Sequence, residues 1–595
     1  MEEADGRNLR VATWNVASIN NNPFEYFVSH DDPAYLKVMQ DIEKFMISPG
    51  EHDVTLGEIM SNRILEELAA LIENAGIGDL EQASEYWEEN LRDRRVVADF
   101  LTDTEIGAKR LCSLPDRVTN TIHSGMEIVC RPTVISCYRE ALPNIEQWWA
   151  QWKDFMFAKE VQIVTKTGLT ASRRVCELLD PIKQSKYPAI TEAEQACSIS
   201  LQIIYLAAFD ASLVYMMNLV APRDWHRIKT SLMDVLHQNK CVRVMDILTG
   251  PVYASCDVIF LQEVSAAMVR DFENNPNIKE KYHILSPETL DGKRDQNSII
   301  LAASCRFSKE SSKKCSQTWG GEISAQIIGL IDDVKSAPVA AGDLFVVCCQ
   351  EKVSKTSKLS NIKPAHQHGQ RFIFASFHGD TDGLATIPVV SAVKKYMTLL
   401  TSDESAVAAG IGSAPCPPLL VFGMDANTYK VHNEGKRQGV IDFAKHLAAM
   451  NIATCWGAGE SVANEFRRTN TFKFIAPNVM LALLVVDPNL YTTYNARTFL
   501  QPQLNKAVRF SDYDTSKLTD KNPKDHILFE STTSHLRNVS GGKEVRAKYV
   551  FRDNTGDGNF IADMPFPTSS FPSDHAIVCV DLELVPHHFS DLVSS

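Results

Sequence analysis

The stretch PLLVFGMDAN, residues 418–427, sets the fold class of this chain. It is an apolar run that reads as a buried strand, and it stops at two polar side chains, Asp425 and Asn427. A strand that ends this way puts a carboxylate and an amide at the rim of a sheet, where solvent, metal and substrate can meet. The same habit recurs along the chain. LRVATWN (9–15) ends at Asn15, CDVIFLQE (256–263) at Glu263, and RFIFASFH (371–378) at His378. FPSDH (571–575) carries Asp574 and His575 just before the run AIVCVDL. One such ending is common. Their repetition describes a site built where several strands stop.

Outward from these segments, the texture after residue 250 is one of short β runs and turns. Strands are predicted at 257–263, 282–286, 296–303, 342–350, 371–378, 418–425, 525–530 and 576–584, with helices at 387–401 and 436–450. Strands interleaved with helices suit an α/β sandwich. Residues 24–249 read differently, as a mostly helical insertion. Within 56–76, Ile59, Ile64, Leu65, Leu68, Leu71 and Ile72 keep a helical period up to a glycine suited to a C-cap. The run ISLQIIYLAAFDASLVYMMNLVA (199–221) is long enough to span a bilayer. Gln202, Asp210 and Asn218 interrupt it and no basic flank orients it, so it predicts a buried helix, and no transmembrane segment is expected.

The bulk numbers narrow the function. A chain of 595 residues exceeds one typical domain, and 44% hydrophobic with 23% charged residues is ordinary for a globular protein. The net charge of −14 supplies no global attraction to a polyanion, so binding a long duplex would need a local basic surface. Fourteen cysteines show no CxxC spacing, and free thiols in an intracellular, cytoplasmic protein are expected.

Taken in order, Thr13-Trp14-Asn15, Gln262-Glu263, Phe377-His378, Gly423-Met424-Asp425-Ala426-Asn427, Asp525-His526-Ile527 and Ser573-Asp574-His575 resemble the motifs of the endonuclease/exonuclease/phosphatase superfamily. The resemblance covers residues 1–20 and 250–590. It departs at Met424, which separates Gly423 from Asp425, although Asp425 and Asn427 keep a two-residue separation and still point the same way from an extended chain. The resemblance implies a discontinuous catalytic domain made as a four-layer sandwich, two packed mixed β-sheets flanked by helices, interrupted by the helical insertion at 24–249.

It also implies a phosphoesterase dependent on Mg²⁺, with Mn²⁺ as a substitute. Glu263, Asn15 and Asp574 are then the metal ligands, and Asp425 is the base for the attacking water, with Asn427 beside it. His575, paired with Asp525, and His378 face the phosphate. Arg294 and Asn297 are candidate phosphate contacts, with a simple turn in which Asp295 pairs Arg294 as the alternative. Asp380 and Asp382, in HGDTDG (378–383), form either an Asp/Gly turn or a specificity loop that repels neighbouring phosphates. Arg497 and Lys506 are candidate counter-charges or a solvated face, and the basic stretch 352–371 is either a nucleic-acid contact or a solvated loop. The QE-V ending resembles the deadenylase and sphingomyelinase branches more than the inositol phosphatases. A nuclease acting on RNA or single-stranded DNA is the expectation. A hydrolase of a small phosphate ester is the alternative, and a non-catalytic scaffold binding a protein partner through the insertion is a third.

Overall fold

Apolar runs of period two become strands, and two sheets collect nearly all of them in a computed structural model. The structure describes residues 8–77, 80–125, 127–164, 169–292, 294–308, 321–332, 337–352, 369–401, 418–457, 489–502, 506–509, 520–530 and 543–586. In chain order, β1 (Asn8–Asn15) precedes two hairpins, β2 (Thr121–Ser124) with β3 (Glu127–Cys130) and β4 (Glu160–Val164) with β5 (Thr170–Arg174). Then follow β6 (Val258–Val264), β7 (Tyr282–Leu285), β8 (Asn297–Ala303), β9 (Leu344–Gln350) and β10 (Arg371–His378). The last are β11 (Leu419–Asp425), β12 (Ile452–Thr454), β13 (Asp525–Glu530), β14 (Lys543–Asp553) and β15 (Ile577–Pro586).

The chain divides into two compact units. The first comprises Met1–Ile19, Lys240–Tyr494 and Asp520–Ser595; the second comprises Asn20–Asn239 and Asn495–Thr519. In the first unit, a six-stranded sheet runs β14-β15-β1-β6-β8-β7 and a five-stranded sheet runs β12-β13-β11-β10-β9. Alternate residues of both sheets meet in one apolar layer, with Val11, Val258, Phe260 and Ile300 from one sheet against Phe345, Phe374, Val421 and Ile527 from the other. The outer face of the six-stranded sheet packs Ile259, Leu261 and Ile299 against helices at Lys240–Thr249 and Ala266–Asn274. The outer face of the five-stranded sheet packs Ile373, Leu420 and Phe422 against helices at Thr386–Thr401 and Val440–Ala449. This is the four-layer mixed sandwich that the motif order implied.

The second unit is built around the helix Ser198–Val220, buried along most of its length. It is the one helix among the described residues that is long and apolar enough to cross a membrane, and 78% of its apolar window is buried inside the protein. Each polar residue that interrupts it finds a partner. Gln202 Nε2 donates to Asp180 O at 3.0 Å, Asn218 Nδ2 donates to Leu142 O at 2.8 Å, and Asp210 accepts from Arg131 Nε at 2.7 Å. Trp148, Trp149 and Trp152 cluster in the same core, with ring centroids 5.8–6.1 Å apart.

Four features depart from the sequence reading. Lys240–Thr249, taken as the end of the insertion, belongs to the first unit, where Val244 and Leu248 pack under the six-stranded sheet. Conversely, Asn495–Thr519, taken as part of the catalytic domain, belongs to the second, where Ala496, Leu500 and Val508 enter its core and Thr498 Oγ1 donates to Phe24 O at 2.5 Å. That segment has no periodicity to reveal its allegiance. The insertion also holds two β-hairpins, one made from the polar strand TASRR, which carries no alternating pattern. In the first unit β14 escaped notice because a register shift between Ala547 and Tyr549 breaks its alternation on a charged edge strand.

Candidate active site

Register brings the strand ends level. Asn15 is the parallel partner of Gln262, His378 is the parallel partner of Asp425, and Asp425 is the antiparallel partner of Asp525. All lie on the inward faces of the two sheets, by the same period of two that fills the apolar layer. Moving along that layer, apolar side chains give way first to Thr13, Gln262 and Ser376. There Gln262 Nε2 donates to Ser376 Oγ at 3.0 Å and to Thr13 Oγ1 at 3.2 Å, tying one sheet to the other. Next come the acids, amides and imidazoles. Gly423 makes the approach possible, because a Cβ there would stand 2.4 Å from the ring of Phe260 on the facing sheet. Met424 faces outward into the helix-covered core, which is why the residue inserted in GMDAN leaves Asp425 aimed inward.

Two residues leave the ladder to reach the site. Glu263 sits at φ +54° beside a register shift in β6, and Asn427 at φ +48° just after β11. A non-glycine residue in this region is held there only by its surroundings, at a cost of about 1–3 kcal/mol. Those surroundings are visible. Asn15 Nδ2 donates to Glu263 Oε1 at 2.9 Å and to Asp425 Oδ2 at 3.0 Å, and Gln296 Nε2 donates to Glu263 Oε2 at 2.8 Å. Asn427 N donates to Asp425 Oδ1 at 2.9 Å, while Asn427 Nδ2 donates to Gly379 O at 2.9 Å.

The imidazoles complete the cluster. His378 Nε2 lies 3.1 Å from Glu263 Oε1 and 3.8 Å from Asp425 Oδ2. His575 Nε2 lies 3.6 Å from Asp425 Oδ2, and its Nδ1 lies 3.0 Å from Asp525 Oδ2. Thr492 Oγ1 donates to Asp525 at 2.6 Å, fixing the carboxylate behind the ring. Burial alone would pull both imidazoliums down. The surrounding carboxylates more than offset it, pushing His378 up to about 9 and His575 up to about 10. Burial likewise opposes ionisation of Glu263, but His378, Asn15 and His575 hold its carboxyl well below the usual carboxylate range. In Asp525 burial prevails, and the carboxyl is raised despite His575.

Ligand atoms of Glu263, His378 and Asp425 all lie within 4.8 Å of one another, as do those of Asp425, Asp525 and His575. Carboxylate oxygens in such a group are hard donors suited to Mg²⁺, so the side chains present fit that ion. Glu263 would hold it, with Asp425 the second carboxylate in reach. Two expected ligands differ in detail. Asn15 turns its NH₂ toward the carboxylates and orients Glu263, while its Oδ1 accepts from Ala17 N at 3.0 Å. Asp574 belongs to neither close group. It stands with Glu263 around the buried Lys240, whose ammonium donates to Ala17 O and is lowered to about 8 by burial against the pull of both acids.

Asn297 is spent on backbone partners, and Arg294 reaches the cluster only through Asp343. Asn297 is buried with Nδ2 donating to Val264 O at 3.1 Å and Oδ1 accepting from Asp291 N at 2.7 Å, so it pins the turn before β8. Arg294 pairs with Asp291 and with Asp343 Oδ1 at 2.7 Å. Asp295, the partner expected for Arg294 in a turn, instead accepts from Ala266 N at 2.6 Å. Asp380 accepts from Ala385 N at 2.7 Å and from Asp382 N at 3.3 Å, which makes it the organiser of a turn. Asp382 is half exposed, 3.8 Å from Arg437. Arg497 and Lys506 belong to the second unit, where Arg497 lies 3.4 Å from Glu25. Most of the basic stretch 352–371 lies outside the described residues.

Sequence reasoning missed Gln296, Lys240, Thr492 and Asp343. Asp343 directly precedes β9, which runs antiparallel to β10 with Leu344 opposite Phe377, so the start of one strand adjoins the end of the other. Its Oδ1 lies 3.8 Å from His378 Nδ1. An acid just before a buried strand is the signal that could have found it.

The second unit contains a match, over residues 53–230, to a domain of unknown function (DUF8234). No curated protein matches the chain in sequence. Part of the chain is similar to solved structures, one of them of an endonuclease/exonuclease/phosphatase family protein. A family protein from Bacteroides thetaiotaomicron is 13% identical, with 60% of this chain and 92% of that one covered at a TM-score of 0.31. TDP2 from D. rerio, complexed with a single-strand DNA product, is 11% identical over 58% of this chain and 93% of its own, with a TM-score of 0.30. The human Nocturnin catalytic domain with bound sulfate is 10% identical over 60% and 89%, with a TM-score of 0.30.

Proposed function

We propose that the protein is a Mg²⁺-dependent phosphoesterase that hydrolyses a phosphodiester by in-line attack of water, acting on RNA or single-stranded DNA. The observation that carries this reading is the convergence of Glu263, His378, Asp425, Asp525 and His575 at one end of the sandwich, with two groups of ligand atoms each within 4.8 Å. A fold has no need to bury so many ionisable groups at one sheet end, since burying a charge is costly unless it is paired. From its cysteine usage we assign it to the cytoplasm.

Each side chain has a task in such a reaction. Asp425, held by Asn427 N and Asn15 Nδ2, keeps a lone pair for the proton of an attacking water. His575, kept protonated by Asp525, would face a phosphoryl oxygen as negative charge builds on it, and His378 would donate a proton to the leaving oxygen. Bound Mg²⁺ supplies Lewis-acid neutralisation of the phosphoryl group. The site's amides hold the carboxylates in place, so little reorganisation is needed during reaction.

Hydrolysis of a small phosphate ester is the second reading, favoured by the net charge of −14. Purified protein should cleave bis(p-nitrophenyl) phosphate or a labelled oligonucleotide with Mg²⁺ or Mn²⁺ and lose the activity on chelation. Turnover that persists in chelator, or no turnover on either substrate, would overturn the proposal.

A further inference from the structure

Three cations converge on one aromatic ring beside the candidate site. Lys521 Nζ stands 4.4 Å from the centroid of Tyr491, Arg552 Cζ 5.2 Å and Lys430 Nζ 5.8 Å. Lys521 also lies 4.2 Å from the Tyr494 ring, and Arg552 3.9 Å from that of Phe560. All three cationic residues are half-buried. Attraction to the ring face helps each one, but their mutual repulsion opposes the gathering, the more so out of bulk water. The acid next to Lys521 in sequence, Asp520, is engaged by Lys524 at 2.8 Å and by Asn522 Nδ2 at 2.6 Å. Arg552 also donates to Tyr491 O and Asp563 acts on the same ring, and the gathering places positive charge locally in a chain of net charge −14.

Its position supplies the explanation. Tyr491 directly precedes Thr492, whose hydroxyl holds Asp525 and whose carbonyl accepts from Ala576 N at 2.8 Å. Thr493 forms a bridge with His575 itself. The cationic ring cluster is therefore anchored to the backbone of the His575–Asp525 pair. Val431 (75% exposed) follows Lys430, and Ile561 (50% exposed) precedes Ala562, whose carbonyl accepts from the Tyr491 hydroxyl. Positive charge with exposed apolar residues next to it in sequence matches a chain that alternates phosphates with sugars and bases.

We propose that Lys430, Lys521 and Arg552 form a subsite for a non-scissile phosphate of a nucleic-acid single strand, next to the phosphodiester held at His575. The proposal rests on the phosphodiesterase reading and specifies its substrate class. A substrate with one phosphate would leave this subsite empty.

The test uses the full chain, fluorescein-labelled oligothymidylate and bis(p-nitrophenyl) phosphate. Binding is read by anisotropy in chelator, so that it is independent of turnover. Lys521→Gln should weaken oligothymidylate binding about fivefold at low salt and make the salt slope shallower by about 0.7, the loss of one single-strand phosphate contact. Lys521→Arg should retain binding. The ratio of kcat/KM on oligothymidylate to that on bis(p-nitrophenyl) phosphate should fall about fivefold in Lys521→Gln, following the same lost contact. Wild-type affinity in Lys521→Gln, or an equal loss on both substrates, would overturn the subsite. Failure of the wild type to turn over either compound would instead sink the hydrolase reading, while the anisotropy still decides the subsite.

Discussion

Both units of this protein bury charge, and they do so in opposite ways. In the second unit Asp210 lies in the middle of an apolar helix, and its oxygens are saturated. It accepts from Arg131 Nε at 2.7 Å, Thr133 Oγ1 at 2.6 Å and Trp152 Nε1 at 2.9 Å. Arg131 spends its other donors on Thr119 Oγ1 at 2.8 Å and Asp116 Oδ1 at 2.6 Å. In the first unit Glu263, Asp425 and Asp525 crowd together beside two imidazoles with neutral amide and hydroxyl donors in place of a guanidinium, and Asp425 stands 3.6–3.8 Å from both rings without a short bond to either. Burial of charge is therefore a poor marker of chemistry. Unspent bonding capacity is the better one, because a saturated cluster has nothing to offer a ligand.

The contrast can be broken at its strongest point first. Arg131→Met leaves Asp210 uncompensated and should cost about 3–5 kcal/mol, seen as early loss of the second unit in thermal or denaturant melts. Arg131→Met with Asp210→Leu should recover most of that loss, since the pair can be replaced by apolar packing. Next, Glu263→Gln should reduce hydrolysis by about a hundred- to a thousandfold while shifting Tm by no more than about 2 °C. A large fall in Tm would put Glu263 in the structural class with Asp210.

Lys229 gives a smaller, pH-dependent effect. Its ammonium is buried, donates to Thr133 O at 2.7 Å, and is lowered to about 7 by desolvation. The unfolded lysine titrates at about 10.4, so above about 7 the unfolded chain binds the extra proton and stability rises with pH across that window. Lys229→Met should raise Tm, most at about pH 6 and progressively less toward about pH 10. A gain that is flat with pH would show that Lys229 titrates alike in the folded and unfolded chains. Smallest of all, Asp380→Ala should cost about 1 kcal/mol through its turn bonds, and Asp382→Ala close to nothing, about 0–0.5 kcal/mol. If Asp382→Ala instead raises cleavage of an oligonucleotide over bis(p-nitrophenyl) phosphate, the loop governs specificity.

What could be read in advance follows from period two. An apolar strand that ends in a polar residue announces both its burial and its rim, so Asn15, Glu263, His378 and Asp425 were legible, and with them the sandwich. Gln296 was not, because the neighbouring Asn297 looks chemically richer and only the turn geometry shows which of the two faces Glu263. Asp343 was hidden at the front of a strand whose antiparallel direction no local pattern reveals. The cations around Tyr491 come from three separated segments, each ordinary by itself. The hairpin strand TASRR has mixed polarity and no period to detect.

The excursion Asn495–Thr519 has a consequence for how the molecule could be taken apart. Because Leu500 and Val508 complete the hydrophobic interior of the second unit, cutting out residues 20–239 would strand an orphan strip of greasy chain between Tyr494 and Asp520. Thr492 lies two residues before Tyr494 and Asp525 five residues after Asp520, so that strip would hang from the backbone that steadies the His575 ring. A clean excision therefore needs two scissions, one at each segment that builds the second unit.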